Sequence, residues 1–104
     1  MGYTLSSEIL TRSNDVINSN PANLAGSSIR ALYKRKQALL SFAELLRGKT
    51  ISLGGRLQSY GYETIPSHIY EYPLANERYF NGGYIIQKYG SRDGEQVVNA
   101  IQVE

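Results

Sequence analysis

The amino-acid composition of this 104-residue chain changes at Tyr62, and this change constrains its fold more than any other feature. Before Tyr62, apolar residues recur at the three- and four-residue spacing of amphipathic helices. After it, tyrosine, proline and β-branched residues dominate, as is typical of strands and the loops between them. We therefore predict an α/β fold, with a helical first half followed by β-strands.

The spacing predicts a first helix over residues 5–16, capped by Thr4 or Ser6. Residues 18–23 should form a loop, because their proline lacks an amide donor and favours an extended Asn20. A single domain with turn-rich connections fits this pattern better than two domains with a linker.

Ser27 or Ser28 is predicted to cap a second helical stretch that reaches Gly48, either as one helix or as two joined near Lys36. A third helix should begin at Thr50 or Ser52 and stop near Gly61. Its predicted inward side chains are Ile51, Leu53 and Leu57.

Two adjacent glycines, Gly54 and Gly55, interrupt this third helix. Each glycine costs about 1 kcal/mol of helix stability relative to alanine, so helix propensity does not explain them. Close packing is the simplest explanation.

The second half is predicted to contain strands over residues 83–89 and 96–103, joined by a hairpin-like turn over residues 91–94. Glu104 would then stand at the carboxyl end of a strand, where ligands collect in open α/β sheets. A partly desolvated carboxylate there can act as a general base. The alternative is a solvated glutamate after a frayed strand.

Composition excludes several classes of function. The net charge of +2 is too small to indicate a nucleic-acid or anionic-membrane partner by itself. The chain has no cysteine, which excludes disulfides and thiol chemistry and agrees with a cytoplasmic location. No apolar run has the length of a membrane helix, and the first residues lack the pattern of a signal peptide, so no membrane partner is expected.

Gly82 and Gly83 permit close approach of the backbone to a ligand, and Tyr84 has a hydroxyl that can bind a carboxylate. A β-bulge with packed tyrosines is the competing interpretation. Lys88 and Arg92 are close enough in sequence to bind an anion together, although charge pairing on the surface is the commoner fate of such residues.

A basic cluster with Tyr33 inside it resembles the combination of charge and aromatic ring that binds nucleic acids. A solvated helix face is the simpler interpretation, which makes a nucleic-acid partner unlikely. The cluster consists of Arg30, Lys34, Arg35 and Lys36. His68 is the only histidine, and without further histidine or cysteine near it we predict no metal ligands in this chain.

Several short motifs follow one another along the chain. They are Gly2-Tyr3-Thr4-Leu5-Ser6, Ser27-Ser28-Ile29-Arg30-x-Leu32, Leu46-Arg47-Gly48-x-x-x-Ser52-Leu53-Gly54, Gly61-Tyr62-x-x-x-Pro66-Ser67, Tyr79-Phe80-Asn81-Gly82-Gly83-Tyr84 and Gln102-Val103-Glu104. Their order resembles that in the C-terminal part of the N-formylglutamate amidohydrolase (N-formylglutamate deformylase) family.

The resemblance implies a zinc-carboxypeptidase-like (phosphorylase/hydrolase-like) α/β fold in which a metal activates water for amide hydrolysis. It implies Glu104 as the catalytic acid/base, and zinc as the cofactor of an intact parent enzyme, bound by ligands in a half that precedes these residues. The substrate-binding residues that it implies are Gly82, Gly83, Tyr84, Gln87 and Lys88.

Residues 1–104 are accordingly predicted to be a single domain or a C-terminal fragment of a larger hydrolase domain, inactive alone. The expected partners are the missing N-terminal half or a second copy and, for the parent, a small N-acyl amino acid. Gln87 stands where family members often carry arginine, which removes a forked cation for the substrate carboxylate. The alternatives are a non-catalytic interaction module and a small nucleic-acid binder.

Overall fold

A computed structural model describes residues 1–75, 77, 79, 81–91 and 98–103, except for the side chain of Ile85. Within these residues the secondary structure is almost entirely short helices. They are α1 (Ser7–Leu10), α2 (Asn14–Ser19), α3 (Pro21–Ala25), α4 (Arg30–Lys36), α5 (Phe42–Arg47), α6 (Leu53–Ser59) and α7 (Tyr84–Tyr89). None of the helices in this part of the chain is long and apolar enough to cross a membrane.

Short polar side chains begin most of these helices, which explains why they start where they do. In each case the side-chain oxygen accepts a hydrogen bond from a backbone amide of the first turn, which has no partner within the helix. At α5 the cap is reciprocal, because Ser41 accepts from the Glu44 amide while the Glu44 carboxylate accepts from the Ser41 amide. The capping residues are Ser6, Ser13, Asn20, Ser41 and Ser52.

The predicted helix over residues 5–16 is wrong in its length, because the chain forms two helices there. Ser6 is the cap, but α1 ends at Leu10 and a new cap at Ser13 begins α2. The predicted loop over residues 18–23 is also wrong in part. Asn20 is extended as expected (φ −100°, ψ 108°), yet Pro21 then occupies the first position of α3, where a missing amide donor has no cost.

The stretch before Gly48 forms two helices, α4 and α5, and the first of them ends at Lys36. Of the two predicted arrangements, one long helix or two helices joined near Lys36, the second is confirmed. The predicted serine cap of α4 is wrong. Ile29 occupies the N-cap position and forms no side-chain cap, so the first amides of α4 need partners from elsewhere in the chain.

Helix α6 begins after Ser52 and is followed by Gly61, whose φ of +93° favours glycine, as predicted. The prediction of inward Ile51 and Leu53 is wrong, because both are exposed. The two glycines face inward instead. A β-carbon on Gly54 would collide with the carbonyl oxygen of Pro66, and one on Gly55 would lie 2.6 Å from that of Lys49, so close packing is confirmed.

The α/β prediction is wrong, and with it the expectation of a zinc-carboxypeptidase-like fold with strands in the second half. Residues 84–89 form helix α7, not a strand. In the described part of residues 96–103, the only β pairing is an isolated antiparallel bridge between Gly2 and Gln102. A strand is stable only beside a partner strand, and residues 84–89 satisfy their amides within a helix.

The core lies among the first five helices, with α2 packed against α5 and α5 against α6. Phe42 and Tyr33 meet edge to face, with ring centroids 5.7 Å apart. The buried cluster consists of Tyr3, Leu5, Ile17, Ile29, Phe42, Ala43, Leu45 and Leu46. The helices therefore bury their apolar faces against one another, and Ile101 from the last described segment packs against the same cluster.

Tyr3 is 1% exposed, and its hydroxyl forms no hydrogen bond within the described residues. Burial, together with the nearby Tyr79, raises the pKa of Tyr3 above its ordinary value. Burial also raises the pKa of Tyr79 to about 12. The Tyr79 hydroxyl differs in having a partner, because it donates to the carbonyl oxygen of Leu5 at 2.9 Å.

We expect Tyr3→Phe to raise the free energy of unfolding by about 1 kcal/mol at pH 7, because it removes a buried hydroxyl without a partner. Above a pH of about 10, unfolded tyrosines lose their protons while folded Tyr3 and Tyr79 keep theirs. The unfolded state then binds fewer protons, so stability falls by up to about 1.4 kcal/mol per pH unit for each group. Tyr3→Phe should reduce that slope by up to about 1.4 kcal/mol per pH unit, the contribution of one group.

Urea unfolding between neutral pH and about pH 11 tests this expectation. Tyr84→Phe is the matched control, because Tyr84 is 71% exposed and should change neither the stability nor the slope. A less stable Tyr3→Phe variant, or one with the full alkaline slope, would show that the Tyr3 hydroxyl has a partner in solution.

Candidate functional site

Four segments that carry the family resemblance, far apart in sequence, meet through their backbones. We call this place the motif junction and define it as residues 2–4, Ser28, 81–83 and 100–102. Gly2 and Gln102 exchange both backbone hydrogen bonds, at 2.8 and 3.0 Å. The amide of Thr4 donates to the carbonyl oxygen of Asn81 at 2.6 Å, which joins the third segment to the first.

Gly2 permits this close approach because it has no side chain. A β-carbon on Gly2 would lie 2.7 Å from the carbonyl carbon of Asn81 and 2.7 Å from the amide nitrogen of Gly82. Both distances are far below van der Waals contact, and the atoms belong to the backbone, which cannot move aside easily. Glycine at position 2 is therefore required for the first and third segments to pack as they do.

Ser28, which is fully buried, links the second segment to the others. Its amide donates to the carbonyl oxygen of Tyr3 at 2.9 Å, and its own carbonyl oxygen accepts from the Ala100 amide at 3.1 Å. Its hydroxyl donates to the carbonyl oxygen of Ala100. Three bonds from one residue thus connect the first, second and last segments.

The amides at the start of α4 find their partners beside this junction. Ser91 Oγ accepts from the Ala31 amide at 2.9 Å, and Asn99 Oδ1 accepts from the Leu32 amide at 2.8 Å. Ser91 Oγ in turn lies 3.1 Å from Asn99 Oδ1, to which it donates. The sequence did not predict Ser91 and Asn99, because no local signal shows that a residue 60 or 67 positions away will cap a helix.

Three of the predicted substrate-binding residues lie at the edge of the motif junction. The Gly83 amide donates to Oε1 of Gln102, and Gln87 Nε2 donates to the carbonyl oxygen of Gly82 at 3.2 Å. Gly82 has a φ of +129°, which favours glycine. The two glycines therefore form the turn that leads into α7, where strand geometry was expected.

Lys88 lies between two tyrosine rings on α7. Its ammonium nitrogen is 5.5 Å from the ring centre of Tyr84 and 5.3 Å from that of Tyr89. Cation–π contacts of this kind hold a lysine without neutralising its charge. Lys88 and both tyrosines are exposed, so the ammonium can still bind an anion from solution. Tyr84 and Lys88 are thus brought together with Gly82, Gly83 and Gln87.

Glu104, the predicted catalytic residue, lies outside the described residues, and so does Arg92, the predicted anion partner of Lys88. The predicted turn over residues 91–94 is described only at Ser91. The role of Glu104 stays a prediction. What the structure does describe is its neighbourhood in sequence, because Gln102 belongs to the motif junction.

The residues that the structure describes contain no group of three or more histidine, cysteine or acidic side chains that could hold a metal ion. His68 is half-buried, and its Nδ1 atom forms no hydrogen bond within them. The zinc that the resemblance implies therefore has no fitting set of ligands here, and no catalytic step is derived through it.

The basic cluster is not a continuous surface. Arg30 is half-buried and its Nε donates to the carbonyl oxygen of Ser91 at 2.9 Å, so it helps to hold the fold together. Tyr33 is half-buried and packs edge to face with Phe42, so part of its ring belongs to the core contacts. Only the last turn of α4 keeps exposed cations: Lys34, Arg35 and Lys36.

Comparisons with protein-family models, with curated proteins and with solved structures found no match for this chain. The family resemblance consequently rests on the motifs and on where their residues lie.

Proposed function

We propose that this chain is the substrate-binding part of an amide hydrolase that acts on N-acyl amino acids, as the N-formylglutamate amidohydrolases do. The observation that carries the proposal is the motif junction. The motifs were recognised by their order along the chain, and order alone does not require them to be neighbours in space. That four of them hydrogen-bond to one another supports a common role.

The chemistry of the junction edge suits a ligand with a carboxylate and an amide. Lys88 offers a positive charge that no carboxylate neutralises within the described residues. Gln87 and Gly83 offer amide groups for a carbonyl oxygen, once each exchanges its present partner for the ligand. In this proposal Lys88 binds the substrate carboxylate, and Glu104 takes a proton from the attacking water. Metal ligands would have to come from outside the described residues.

Binding of N-formyl-L-glutamate to the isotope-labelled chain tests the proposal by nuclear magnetic resonance. We expect the amide signals of Gly83, Tyr84 and Lys88 to shift as the ligand is added. Lys88→Met should weaken binding by about tenfold or more, because a charge-assisted contact with the carboxylate is lost. The neutral diamide of the same compound should bind the wild-type chain as weakly as the variant binds the acid.

Lys36→Met is the matched control, because Lys36 is an equally exposed lysine on α4. Gln87→Arg provides a gain of function: a forked cation beside Lys88 should tighten binding of the acid about tenfold and leave the diamide unchanged. Equal affinity for acid and diamide, or equal losses in both lysine variants, would contradict carboxylate recognition at α7.

A second candidate function is a protein-interaction module, which could act by self-association or with another chain. It is favoured by exposed apolar and aromatic side chains over residues 60–74, since surfaces rich in such groups mark contact sites. They are Tyr60, Tyr62, Ile69, Tyr70, Tyr72 and Leu74. Sedimentation across a range of concentrations distinguishes a monomeric binding protein from a self-associating module.

A further inference from the structure

A surface depression of about 310 Å³ lies on the side of α6, away from the motif junction residues. Its volume is at the lower end of the range for small-molecule sites, about 300 to 1,000 Å³. Its lining side chains comprise two cations, two hydroxyl groups and one aromatic ring. The lining residues are Lys49, Thr50, Arg56, Ser59 and Tyr60.

Two features of the backbone build the depression. Gly55 has no side chain, so the segment that carries Lys49 packs directly against α6. The Ser52 hydroxyl donates to the carbonyl oxygen of Gly48 at 2.7 Å, and Arg56 Nε donates to that of Thr50 at 3.1 Å. Lys49 on the segment and Arg56 on the helix are therefore held on the same side of the depression.

Lys49 and Arg56 form no ion pair within the residues that the structure describes. The Glu44 carboxylate accepts from the Ser41 amide. Two like charges beside one depression repel each other until an anion binds between them. This arrangement indicates an anionic ligand.

The remaining groups narrow the chemistry of the ligand. Arg56 uses only Nε within the fold, so its two terminal nitrogens can donate to an anion as a fork. The Thr50 hydroxyl has no partner within the described residues and can donate as well. The Ser59 hydroxyl already donates to the carbonyl oxygen of Gly55, so its oxygen is left to accept, as from a sugar hydroxyl.

Tyr60 completes the site with a ring that is 82% exposed at the rim. We propose that this depression binds a nucleoside monophosphate, with the phosphate between Lys49 and Arg56 and the base stacked on Tyr60. A phosphomonoester carries nearly two negative charges and several acceptor oxygens, which suits two cations and a hydroxyl better than a single carboxylate does. An aromatic ring binds the face of any base.

The proposal is tested by titrating the chain with adenosine 5′-monophosphate, inorganic phosphate and adenosine, using calorimetry or amide chemical shifts. We expect the nucleotide to bind at least tenfold more tightly than either part alone. Lys49→Gln and Arg56→Gln should each weaken nucleotide binding about tenfold or more. Tyr60→Ser should weaken it about tenfold and leave the affinity for inorganic phosphate unchanged.

Lys36→Gln is the matched control, because it removes the same charge from an exposed lysine on α4. Lys49→Gln is the cleanest variant, since no hydrogen bond of the Lys49 side chain is present among the described residues.

A 5′-phosphorylated trinucleotide should bind no more tightly than the monophosphate. Equal losses in Lys36→Gln and Lys49→Gln, or inorganic phosphate binding as tightly as the nucleotide, would overturn the proposal. A trinucleotide that binds tenfold more tightly would overturn the choice of a free mononucleotide.

Discussion

Arg47→Met is expected to lower the free energy of unfolding by about 2 to 4 kcal/mol, because it removes a charged donor of several hydrogen bonds. Arg47 is only 4% exposed, although it stands at the end of α5. Burial lowers the pKa of the Arg47 guanidinium, and the charge of Glu71 partly offsets this by raising it.

The hydrogen bonds of Arg47 account for the size of this effect. Its Nη1 donates to the carbonyl oxygen of Leu10 at 2.6 Å, and its Nη2 donates to that of Arg12 at 2.7 Å. Its Nε donates to Asn14 Oδ1 at 2.9 Å. The turn between α1 and α2 depends on these bonds, and Nη1 also reaches the carbonyl oxygen of Glu71. Without Arg47, the buried carbonyl oxygen of Leu10 and the partly buried one of Arg12 would lose this donor.

The ion pair with Glu71 contributes less, because the Glu71 side chain is 47% exposed and its oxygen lies 3.4 Å from Arg47 Nε. Arg47→Lys keeps the positive charge but loses the several nitrogen donors of the guanidinium. It should therefore be more stable than Arg47→Met and less stable than the wild-type chain. Arg12→Met is the control, because the Arg12 side chain is exposed and should contribute less than about 0.5 kcal/mol. Urea unfolding measures all three variants, and a loss of under about 1 kcal/mol for Arg47→Met would show that water replaces the network.

The largest expected effect on activity belongs to Glu104. In an assembly of this chain with the segment that supplies the metal ligands, Glu104→Gln should lower turnover of an N-acyl amino acid by about 10²- to 10⁴-fold. Glutamine keeps the size of the side chain but cannot take a proton, so substrate binding and metal content should stay nearly unchanged. A loss in kcat with little change in KM would distinguish this role from a role in binding.

Glu8→Gln is the matched control for that measurement, because Glu8 is an exposed glutamate on α1. An assembly that keeps full turnover with Glu104→Gln would remove Glu104 from the catalytic machinery. It would not affect the binding measurements on Lys88 and Gln87, so the two parts of the proposed function can fail separately.

Local capping signals could be recognised in the sequence because they act within one turn of helix. Ser6 and Ser52 were among the predicted caps, and both accept from amides three residues ahead. Gly61 was predicted as a helix stop for the same local reason, and its positive φ agrees. The close packing of Gly54 and Gly55 was inferred from their cost in a helix, which is also a local quantity.

The strand predictions failed because β structure is not a local property. Residues 84–89 contain the tyrosine and isoleucine typical of strands, yet no neighbouring strand exists for them to pair with in the described chain. A helix satisfies its amides internally, and Gly83 provides its start. Whether such a segment becomes a strand or a helix is decided by what lies beside it.

The sequence by itself determined the helical first half, the caps at Ser6 and Ser52, and the close packing of Gly54 and Gly55. These features follow from interactions within a few residues. Only the tertiary structure decided that Ser91 and Asn99 cap α4, that Arg47 is buried under the turn between α1 and α2, and that Lys49 and Arg56 share a depression. Each of these three features depends on contacts between segments that are far apart in sequence. Packing sets the distances between such segments, and the periodicity and composition of a sequence do not predict those distances.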